Sequence, residues 1–437
     1  MKTISMTVLS VTLPLLISTA VIANDPFAEL DNEVEQLYVD DTAEFEQWYA
    51  EHLSEFNKWQ MAYLEQWDKQ QVSSIEKWGD AKTPSQDTLV VYNEETESRT
   101  VVDLEKGEIT INYPAPSNST SESADADLLV VNKVITDNKE LWQQVGFRIP
   151  EPATSQVVYV EPVKVQEQTF EEVRQEIIAQ TERQMSQLDI YAEQNMVMVS
   201  PPQKERIVEQ QKQVLEANKQ KRIITAQANI QKQKTVHQQQ PTKMVEYKVK
   251  IPSSALSERA GSYLPQIKIE SAKRGLSPAL VLAIMHEESH FNPQARSHVP
   301  AYGLMQIVPT TAGHDVNKLY RGNDAPMRAT DLYNPEINIE TGTEYLNILH
   351  NRYLKGIKDP KSAKYSVIAA YNTGSGNVAK AFGERRVSAA IKKINSMTSD
   401  QVYQQLITNL PYDETRNYLK KVNNRMQSYQ AHNNSTI

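Results

Sequence analysis

Two stretches of the chain, residues 41–78 and 169–191, repeat apolar residues every three or four positions with Glu, Gln and Lys between them. This spacing predicts amphipathic helices. In the first stretch the apolar face is largely aromatic and consists of Phe45, Trp48, His52, Phe56, Trp59, Tyr63 and Trp67. Such a stripe could bind a ligand. We expect it instead to pack against a sheet, because packing is the commoner role of clustered aromatic side chains.

The sheet is predicted by short runs rich in Val, Ile, Thr and Tyr. They lie at residues 89–92, 99–104, 108–113, 128–131 and 157–160. Gly107, between the second and third runs, predicts a tight turn in which this glycine has a positive φ. Residues 114–123 are rich in Pro and Ser and predict a solvated loop. With the two helices, these runs predict an α+β fold.

The composition then changes. Residues 203–240 are rich in Gln and Lys with sparse apolar pairs, which predicts a long exposed helix, and residues 244–251 predict a strand. Amphipathic helices follow one another from there almost to the end of the chain. We therefore expect an acidic α+β domain at residues 24–202, a Gln/Lys-rich helical linker at 203–250 and a mainly helical domain at 251–437.

Charge separates the two halves of the chain. The 437 residues have a formal charge of −9, yet residues 251–437 hold 22 Lys and Arg against 15 Asp and Glu. A basic second half would favour approach to an acidic polymer, or it would balance the acidic first half within the molecule. There is no cysteine. Its absence excludes thiol catalysis, disulfides, iron–sulfur clusters and thiolate-bound zinc.

The first 23 residues have the pattern of an export signal. Lys2 precedes an apolar run, and Val21 and Ala23 fit a cleavage site before the polar Asn24. An uncleaved membrane anchor is the alternative, because the apolar run is almost long enough to cross a bilayer. In either case we expect the body of the protein outside the cytoplasm, in the periplasm. No other stretch approaches the length of a membrane-spanning helix.

The segment at 277–290 predicts an apolar helix that has Ser277 as its N-cap and must end before Pro293. Two adjacent carboxylates, Glu287 and Glu288, therefore lie in its last turn. Consecutive side chains on a helix diverge by about 100°, so we expect one carboxyl in a cleft and the other in solvent. Desolvation at the end of an apolar helix raises the pKa of a carboxyl group, as a general acid requires. The alternative is that both glutamates are ordinary solvated residues.

A zinc site competes for the same helix. His286 and His290 frame the sequence H-E-E-S-H, which matches the metalloprotease motif H-E-x-x-H, with Glu287 as the base. Downstream candidates for the third ligand are Glu336, Glu340 and His350. This hypothesis is the weaker one, because so short a motif occurs by chance and the helix cannot extend past the second histidine.

Four blocks of residues occur in a fixed order from this helix onward. They are Glu288-Ser289 with Gly303-Leu304-Met305-Gln306; Asn334-Pro335 with Asn338 and Gly342; Ala370-Tyr371-Asn372 with Gly374 and Gly376; and Tyr418 in the sequence Arg-Asn-Tyr-Leu. In this order they resemble the soluble lytic transglycosylase family. The resemblance is strong over about residues 255–430 and weaker over 40–115, and residues 311–316 resemble a membrane-bound branch of the family.

The resemblance implies a lysozyme-like helical domain that cleaves the β-1,4 bond between N-acetylmuramic acid and N-acetylglucosamine in peptidoglycan. Glu288 would protonate the leaving oxygen, and the muramic N-acetyl group would stabilise the positive charge at C1. The ionised Glu288 would then take the proton of the C6 hydroxyl, which closes onto C1. The product is a 1,6-anhydro sugar, and the reaction uses no water, metal or other cofactor.

The same resemblance assigns a set of substrate-binding residues. They are Ser297, Met305, Gln306, Tyr371, Asn372 and Tyr418. Ser297 would position Glu288 or the acetamido carbonyl, and Tyr418 would orient the acid. Gln306 and Asn372 would bond N-acetyl or hydroxyl groups, while Met305 and Tyr371 would line the sugar faces. For Met305 and the two tyrosines, simple packing is the competing interpretation.

Two departures from the family affect these expectations. Membrane-bound members are typically lipoproteins, and this chain has no cysteine to acylate. We therefore expect at most a peripheral association with the outer membrane and no lipid anchor. Pro300 and Tyr302 stand before Gly303, where the family often has Gly-Ala, and this would reshape the wall of the cleft.

The expected partners are peptidoglycan glycan strands and proteins of the cell-wall machinery, and no nucleic acid. Two further alternatives remain open besides the zinc peptidase. One is a lysozyme-type hydrolase, which uses the same acid but adds water. The other is a non-catalytic peptidoglycan-binding or scaffold protein.

Overall fold

The structure is a computed structural model, and its described part comprises residues 28–93, 95–114, 124–139, 142, 157–160, 168–196, 199–239, 244–252, 254–297 and 299–435. The chain divides between Tyr49 and Ala50 into two compact units. In its described part the first unit consists of the beginning of a long helix, and the second holds all the other elements. The predicted export signal and nearly all of the predicted loop at 114–123 lie outside the described residues.

The described elements that precede the second half are four helices and five strands. They are α1 (Ala28–Trp78), β1 (Thr88–Asn93), β2 (Ser98–Asp103), β3 (Glu108–Pro114), α2 (Ala124–Asp137), β4 (Val157–Val160), α3 (Gln168–Asn195), α4 (Pro201–Gln239) and β5 (Met244–Lys250). The helices predicted at 41–78, 169–191 and 203–240 are thereby confirmed, as are four of the five strands predicted before residue 161 and the one at 244–251.

The five strands form one antiparallel sheet in the order β1-β2-β3-β5-β4. β5 comes last in sequence but lies inside the sheet, where Tyr247 stands opposite Ile111 of β3. Both side chains are buried on the face that α2 covers. Gly107 has a φ of 63°, as predicted for the turn between β2 and β3. The strand before the second half of the chain therefore completes the sheet of the first half.

The run at 128–131 was expected to be a strand, and that prediction is wrong because it lies within α2. Val131 and Val134 are fully buried and Ile135 almost so, and they pack against the sheet. Their spacing of three and four is that of a helix face. A short apolar run is compatible with either structure, and the residues that follow it decide.

The aromatic stripe also differs from expectation. Within the second unit, Phe56 does not pack on the sheet but stacks on Tyr191 of α3, with ring centroids 4.4 Å apart and planes 7° from parallel. The last turn of α1 does reach the sheet, where the guanidinium of Arg99 lies 4.9 Å from the centre of the Trp78 ring. Phe56 therefore packs on a helix where the sequence predicted a sheet, and the contact with the sheet is made by Trp78 in the last turn of α1.

The rest of the chain is helical. It contains α5 (Ser254–Arg274), α6 (Pro278–Ser289), α7 (Ala312–Tyr320), a 3-10 turn (Asp331–Tyr333), α8 (Pro335–Ile348), a π-helical turn (Leu349–Tyr353), α9 (Pro360–Thr373), α10 (Ser375–Ala381), α11 (Val387–Ile394), α12 (Ser399–Asn409) and α13 (Asp413–Ser435). α6 lies at the centre of this core, since all its side chains from Ala279 to Met285 are buried. α5 and α13 pack against it.

Helices α3 and α4 pack along each other, and α3 also packs against α9, α10 and α13. The α+β class is confirmed, with a small sheet beside a helical core. The domain boundaries at residues 202 and 250 stay a prediction, since residues 50–437 form one compact unit. Among the described residues, no helix has both the length and the apolar character needed to cross a bilayer.

Candidate active site

Glu288 lies in the last turn of α6. The helix begins at Pro278, and the Ser277 side chain makes no capping hydrogen bond. It ends where His290 adopts the left-handed conformation, with φ 49° and ψ 35°. The predicted helix at 277–290 is confirmed to within a residue at each end, and Glu287 and Glu288 lie in its last turn as expected.

The Glu288 carboxyl is almost completely enclosed. The residue is 2% exposed. Arg183 of α3 lies 3.8 Å from it, and the buried Tyr418 hydroxyl of α13 lies beside it. Burial raises the pKa of Glu288 to about 7, against the opposing effects of the Arg183 charge and the Tyr418 hydroxyl. Such a carboxyl keeps a large protonated fraction at neutral pH, which is what a general acid requires.

Glu287 was expected in solvent, but its side chain is only 12% exposed. Lys421 lies 3.2 Å from its carboxylate, and Arg425 donates a hydrogen bond to it. Both cations come from α13. The two glutamates therefore differ in their partners more than in their exposure, because Glu287 is held between two cations and Glu288 faces one.

Ser289 ties the end of α6 to the Gly-Leu-Met-Gln loop. Its hydroxyl donates to the carbonyl of Leu304 at 2.7 Å and to that of Met285 at 3.1 Å. Gly303 has a φ of 74°, and a Cβ added there would lie 2.2 Å from the Leu332 carbonyl oxygen. The loop therefore approaches its neighbour more closely than any residue other than glycine permits.

Asn338 of α8 fixes this loop from the other side. It is fully buried. Its amide nitrogen donates to the carbonyls of Tyr302 and Leu332, both at 2.8 Å, and its oxygen accepts from the Met305 N–H at 2.7 Å. The sequence placed Asn338 in one of the four blocks without a role. The structure makes it the residue that holds the loop.

Gln306 has a positive φ of 47° at the end of the loop. Its side-chain nitrogen donates to the carbonyls of Ala295 and Gly303, at 3.1 and 2.9 Å. Its side-chain oxygen is buried and accepts no hydrogen bond from the described residues. The nitrogen is thus committed to the loop, while the oxygen is free to accept from a ligand.

Tyr371 and Asn372 end α9 on the opposite wall. The Tyr371 hydroxyl donates to the Met305 carbonyl at 2.8 Å. The Asn372 oxygen accepts from the Thr415 hydroxyl at 2.7 Å, and its buried amide nitrogen has no partner within the described structure. Asn372 therefore offers a donor into the site, and Gln306 offers an acceptor.

Two cavities meet at Glu288, and Arg183 lines both of them. The smaller, of about 20 Å³, is lined by Arg183, Gln187, Ile190, Glu288, Gln306, Ile307, Val308, Thr311, Ala312, Tyr345, Tyr371 and Asn372. The larger, of about 270 Å³, is lined by Gln86, Arg183, Glu287, Glu288, Glu414, Asn417, Tyr418 and Lys421. The structure thus places Gln306, Tyr371, Asn372 and Tyr418 on the walls of the two cavities that meet at the Glu288 carboxyl.

Comparison with known proteins agrees with this geometry, since residues 265–394 match the family model described as Transglycosylase SLT domain. Residues 265–394 are therefore similar to the transglycosylase SLT domain, and this segment is called the SLT domain below. The predicted resemblance to the soluble lytic transglycosylase family is confirmed.

Two relatives of the SLT domain bear the name Membrane-bound lytic murein transglycosylase C. One, from Serratia proteamaculans, is 46% identical over 181 residues, which are 41% of this chain and 50% of the relative. Another, from Klebsiella pneumoniae, is 47% identical over 174 residues, or 40% of this chain and 48% of the relative. The match thus spans about half the length of these relatives.

Among solved structures, an inactive mutant of the lytic transglycosylase Slt from Pseudomonas aeruginosa is 26% identical. The likeness covers 39% of this chain and 24% of that chain, with a TM-score of 0.30.

Two predicted substrate-binding residues of the SLT domain do not line either cavity at Glu288. Met305 is fully buried, and its sulfur would lie 2.3 Å from a Cβ added at Gly342. Ser297 is 2% exposed, its hydroxyl accepts from the Val299 N–H at 3.3 Å, and its carbonyl accepts from the Tyr63 hydroxyl at 3.3 Å. Met305 thus packs in the core beside Gly342, and these hydrogen bonds of Ser297 go to its own segment and to α1.

Arg183 is the site residue that sequence reasoning missed. It comes from α3, outside the matched SLT domain, and only 6% of it is exposed. Besides Glu288 it pairs with Glu414 of α13 at 2.5 Å. A polar stretch of an amphipathic helix gives no signal of this kind, because nothing in the sequence says which of its charged residues will be buried.

The two histidines of the zinc motif stand together at the end of α6, with ring centroids 5.0 Å apart. The Tyr429 hydroxyl lies 3.0 Å from Nδ1 of His286. Burial lowers the pKa of His286 to about 3 and that of His290 to about 4, so both rings are neutral. In the described part of the chain, no cluster of three His, Asp or Glu side chains suits a metal ion. The third ligand that the zinc hypothesis needs is not found there.

Proposed function

We propose that this protein is a peptidoglycan lytic transglycosylase that cleaves the β-1,4 bond between N-acetylmuramic acid and N-acetylglucosamine. The observation that carries the proposal is the position of Glu288. It is a buried carboxyl with a pKa raised to about 7, at the Glu-Ser position of an SLT domain, on the wall of two cavities. The relatives named lytic murein transglycosylase support the reaction class.

In the first step, protonated Glu288 donates its proton to the glycosidic oxygen while the bond from C1 to that oxygen breaks. The muramic N-acetyl carbonyl stabilises the positive charge left at C1. Glu288 becomes a carboxylate, and the Tyr418 hydroxyl beside it favours that charged form. A pKa near the working pH suits a group that must first lose and then regain a proton.

In the second step, the Glu288 carboxylate takes the proton of the C6 hydroxyl, and O6 bonds to C1. The acid is regenerated, and the muramic residue leaves as a 1,6-anhydro sugar. Atoms balance without water, because the hydroxyl that attacks C1 belongs to the same sugar. One carboxyl is therefore enough, unlike in most glycoside hydrolases, which use two.

The other site residues would bind the sugars. The free amide nitrogen of Asn372 suits an acetamido carbonyl, and the free oxygen of Gln306 suits an acetamido N–H or a hydroxyl. Tyr371 presents a ring to the smaller cavity. Met305 and Ser297 would act through the segments that they contact, in place of the direct contacts expected from the sequence.

A lysozyme-type hydrolase would need a group that activates water. Glu287 and Glu414 are the other carboxylates on the wall of the larger cavity. Glu287 is held by Lys421 and Arg425, and Glu414 by Arg183. Burial raises the pKa of Glu287 against the charges of Arg425 and Lys421, but these two cations already occupy both of its oxygens. This arrangement gives the hydrolase no advantage over the transglycosylase.

The test uses purified peptidoglycan sacculi, the full chain, Glu288→Gln and the matched control Glu287→Gln. We expect the unchanged protein to release fragments with 1,6-anhydromuramic ends, each lighter by one water than a hydrolysis product in the mass spectrum. Removing a general acid costs about 10²–10⁴-fold in rate, so Glu288→Gln should lose this activity while Glu287→Gln keeps most of it.

Two results would contradict the proposal. Products with only reducing ends would identify a hydrolase. Peptide cleavage that survives Glu288→Gln but is lost in Glu287→Gln or with a chelator would identify a zinc peptidase.

The proposed substrate also implies where in the cell the protein acts. Peptidoglycan lies outside the cytoplasm, and the first 23 residues have the pattern of an export signal. We therefore propose a periplasmic protein whose partner is the glycan strand. Fractionation of cells that express the full chain tests this, with recovery in the cytoplasm as the contradicting result.

A further inference from the structure

Helix α3 turns one face toward the candidate active site. Arg183 reaches Glu288 at 3.8 Å and Glu414 at 2.5 Å. One turn later the Ser186 hydroxyl donates to the Thr373 hydroxyl at 3.0 Å. The two positions are three residues apart, so they lie on the same face of the helix.

The next two turns of α3 continue this contact. The Asp189 carboxylate accepts from the Asn377 amide at 2.9 Å and from the Tyr412 hydroxyl at 2.8 Å. The Glu193 carboxylate accepts from the Gly376 N–H at 2.8 Å. Three turns of one helix are therefore bound to α9, α10 and α13 through polar groups.

The bound face of α3 is buried, and most of its side chains are polar, with Ile190 as an apolar member. Arg183, Ser186 and Gln187 are each less than 7% exposed. A helix face that belongs to a permanent core is normally apolar, as in α6. Hydrogen bonds can be exchanged for others, with water or with a ligand, at little net cost. A polar face of this kind suits a contact that forms and breaks.

Two glycines of the third block make room for α3. A Cβ added at Gly374 would lie 2.7 Å from Cγ1 of Ile190, and one added at Gly376 would lie 3.1 Å from the Glu193 carboxylate. The SLT domain therefore has a surface depression at this point, just after Asn372. In this structure α3 fills it.

Space at Glu288 is very uneven on its two sides. Breaking a glycosidic bond requires a sugar on each side of the acid. The side with Lys421 has a cavity of about 270 Å³, whereas the side with Gln306 and Asn372 has about 20 Å³. By this measure a cavity needs about 10–15 Å³ to hold a water molecule, so the second side has room for about one water. No sugar ring fits on the second side while α3 stays in place.

The crowded side also holds the unused polar atoms. The Gln306 side-chain oxygen and the Asn372 side-chain nitrogen line the smaller cavity, and both are buried without a partner among the described residues. Buried polar groups normally have hydrogen-bond partners, and exceptions require a reason. An unpaired acceptor and an unpaired donor on the wall of a cavity that α3 lines are suited to a ligand that is not yet bound.

We propose that α3 is a built-in gate that occupies the glycan groove on the Gln306 and Asn372 side of Glu288 and must move away before substrate binds. The inference rests on the proposed function for the identity of the glycan. The closed state itself rests on the contacts of Arg183, Ser186, Asp189 and Glu193. The full chain is thus a self-inhibited form of the enzyme.

A disulfide lock tests the gate, because the chain has no cysteine of its own. The hydroxyls of Ser186 and Thr373 lie 3.0 Å apart, so cysteines at these positions would bring their sulfur atoms close together, and a disulfide has an S–S bond of about 2.0 Å. The double variant Ser186→Cys with Thr373→Cys is compared oxidised and reduced, with each single variant as control. The readouts are release of 1,6-anhydro fragments from sacculi and binding of an N-acetylglucosamine tetramer.

We expect the oxidised form to lose at least 10-fold in both activity and affinity, and reduction to restore the level of the single variants. Equal affinity in the two forms, including none detectable in either, overturns the gate. If affinity differs between the forms but no form releases 1,6-anhydro ends, the gate stands and the proposed reaction fails.

A second variant opens the gate without a crosslink. Asp189→Asn weakens the acceptor of Asn377 and Tyr412 and removes the counter-charge of Lys212 and Lys380. We expect several-fold faster release of fragments from sacculi. Glu171→Gln, in the exposed first turn of the same helix, is the matched control and should change nothing. An Asp189→Asn protein that is folded but no faster than the control contradicts the gate.

Discussion

Helices α6 and α3 meet at Glu288, and they bury different kinds of surface. α6 is buried from Ala279 to Met285 by apolar side chains alone, and it carries the carboxyl at its end. α3 buries the polar Arg183, Ser186 and Gln187 together with Ile190 at the same site. The first helix belongs to the core of the SLT domain and cannot leave it without unfolding. The second is attached through polar groups that another partner could replace.

Burial near Glu288 therefore has different consequences for the two helices. For α6, burial fixes the acid and raises its pKa. For α3, under the proposed gate, burial fills the side of the site where a sugar would bind. Changes near α6 should therefore affect stability and activity together, whereas changes on α3 should affect the pH profile or access while leaving the fold intact. The predictions below test this contrast, beginning with the largest expected effect.

Substitution of Gly303 by Ala should have the largest effect on the fold. The added Cβ would lie 2.2 Å from the Leu332 carbonyl oxygen and would sit at a φ of 74°. We expect a loss of roughly 4 kcal/mol in the free energy of unfolding, at the upper end for single substitutions. Activity should fall with it, because this loop carries Gln306. Denaturant unfolding of the full chain measures the change.

Gly275 provides the matched control. It also has a positive φ, of 64°, but a Cβ added there meets nothing within 4 Å. Gly275→Ala should cost only the conformational penalty, about 1–2 kcal/mol. Equal losses in the two variants would show that the close approach of the loop at Gly303 contributes nothing beyond backbone conformation.

This loop also shows what the sequence could reveal. The apolar run between Ser277 and Pro293 predicted α6, and the order of the blocks predicted Glu288 as the acid together with the residues expected around it. Those features are local, because each depends on a helix end or a tight turn. Asn338 was visible as part of a block, but its three hydrogen bonds join segments far apart in sequence. No local sequence pattern predicts hydrogen-bond partners that lie in distant segments of the chain.

The role of α3 was less accessible still. Its apolar spacing predicted the helix, and the structure confirms it as Gln168–Asn195. Which face meets which neighbour depends on tertiary packing, and Arg183 could equally have been a solvated residue. The aromatic stripe of α1 failed for the same reason, since spacing predicted a packed face but did not name α3 as its partner. The spacing of apolar residues predicts which face of a helix is buried, but only the folded structure shows which element that face packs against.

The second prediction concerns two glutamates with the same pKa. Burial raises the pKa of both Glu288 and Glu176 of α3 from 4.5 to about 7. A folded-state pKa above the unfolded one gives stability that is present below pH 4.5 and lost as the pH rises through 7. Glu288→Gln should remove most of the pH dependence that Glu288 gives to the free energy of unfolding, about 3 kcal/mol for its pKa shift. Unfolding at pH 4.5 and pH 8 measures this change.

Glu176→Gln is the comparison within α3. Glu176 accepts from Gln180 at 3.1 Å and from Gln71, away from the cavities at Glu288. Its substitution should reduce the pH dependence of stability in the same direction, by less because its side chain is only half-buried. It should leave the release of sacculus fragments unchanged. Loss of activity in Glu176→Gln would mean that a raised pKa on α3 serves catalysis as well.

The smallest expected effect is a shift in pH profile caused by Arg183→Gln. The Arg183 charge lowers the pKa of Glu288, so its removal should raise that pKa. Since Glu288 acts in its protonated form, the alkaline limb of kcat/KM, which reports the free enzyme, should move to higher pH. If α3 leaves when substrate binds, the limb of kcat should not move. Assays on soluble glycan strands give both profiles.

Lys380→Gln is the matched control for this shift. Lys380 also joins α3 to the SLT domain, through Asp189 at 3.2 Å, but it is not among the groups that affect the pKa of Glu288. It should leave both profiles in place. A kcat limb that moves together with kcat/KM in Arg183→Gln would mean that Arg183 remains beside the acid during turnover. In that case α3 would be a permanent wall of the site, and its polar face would serve substrate binding rather than release.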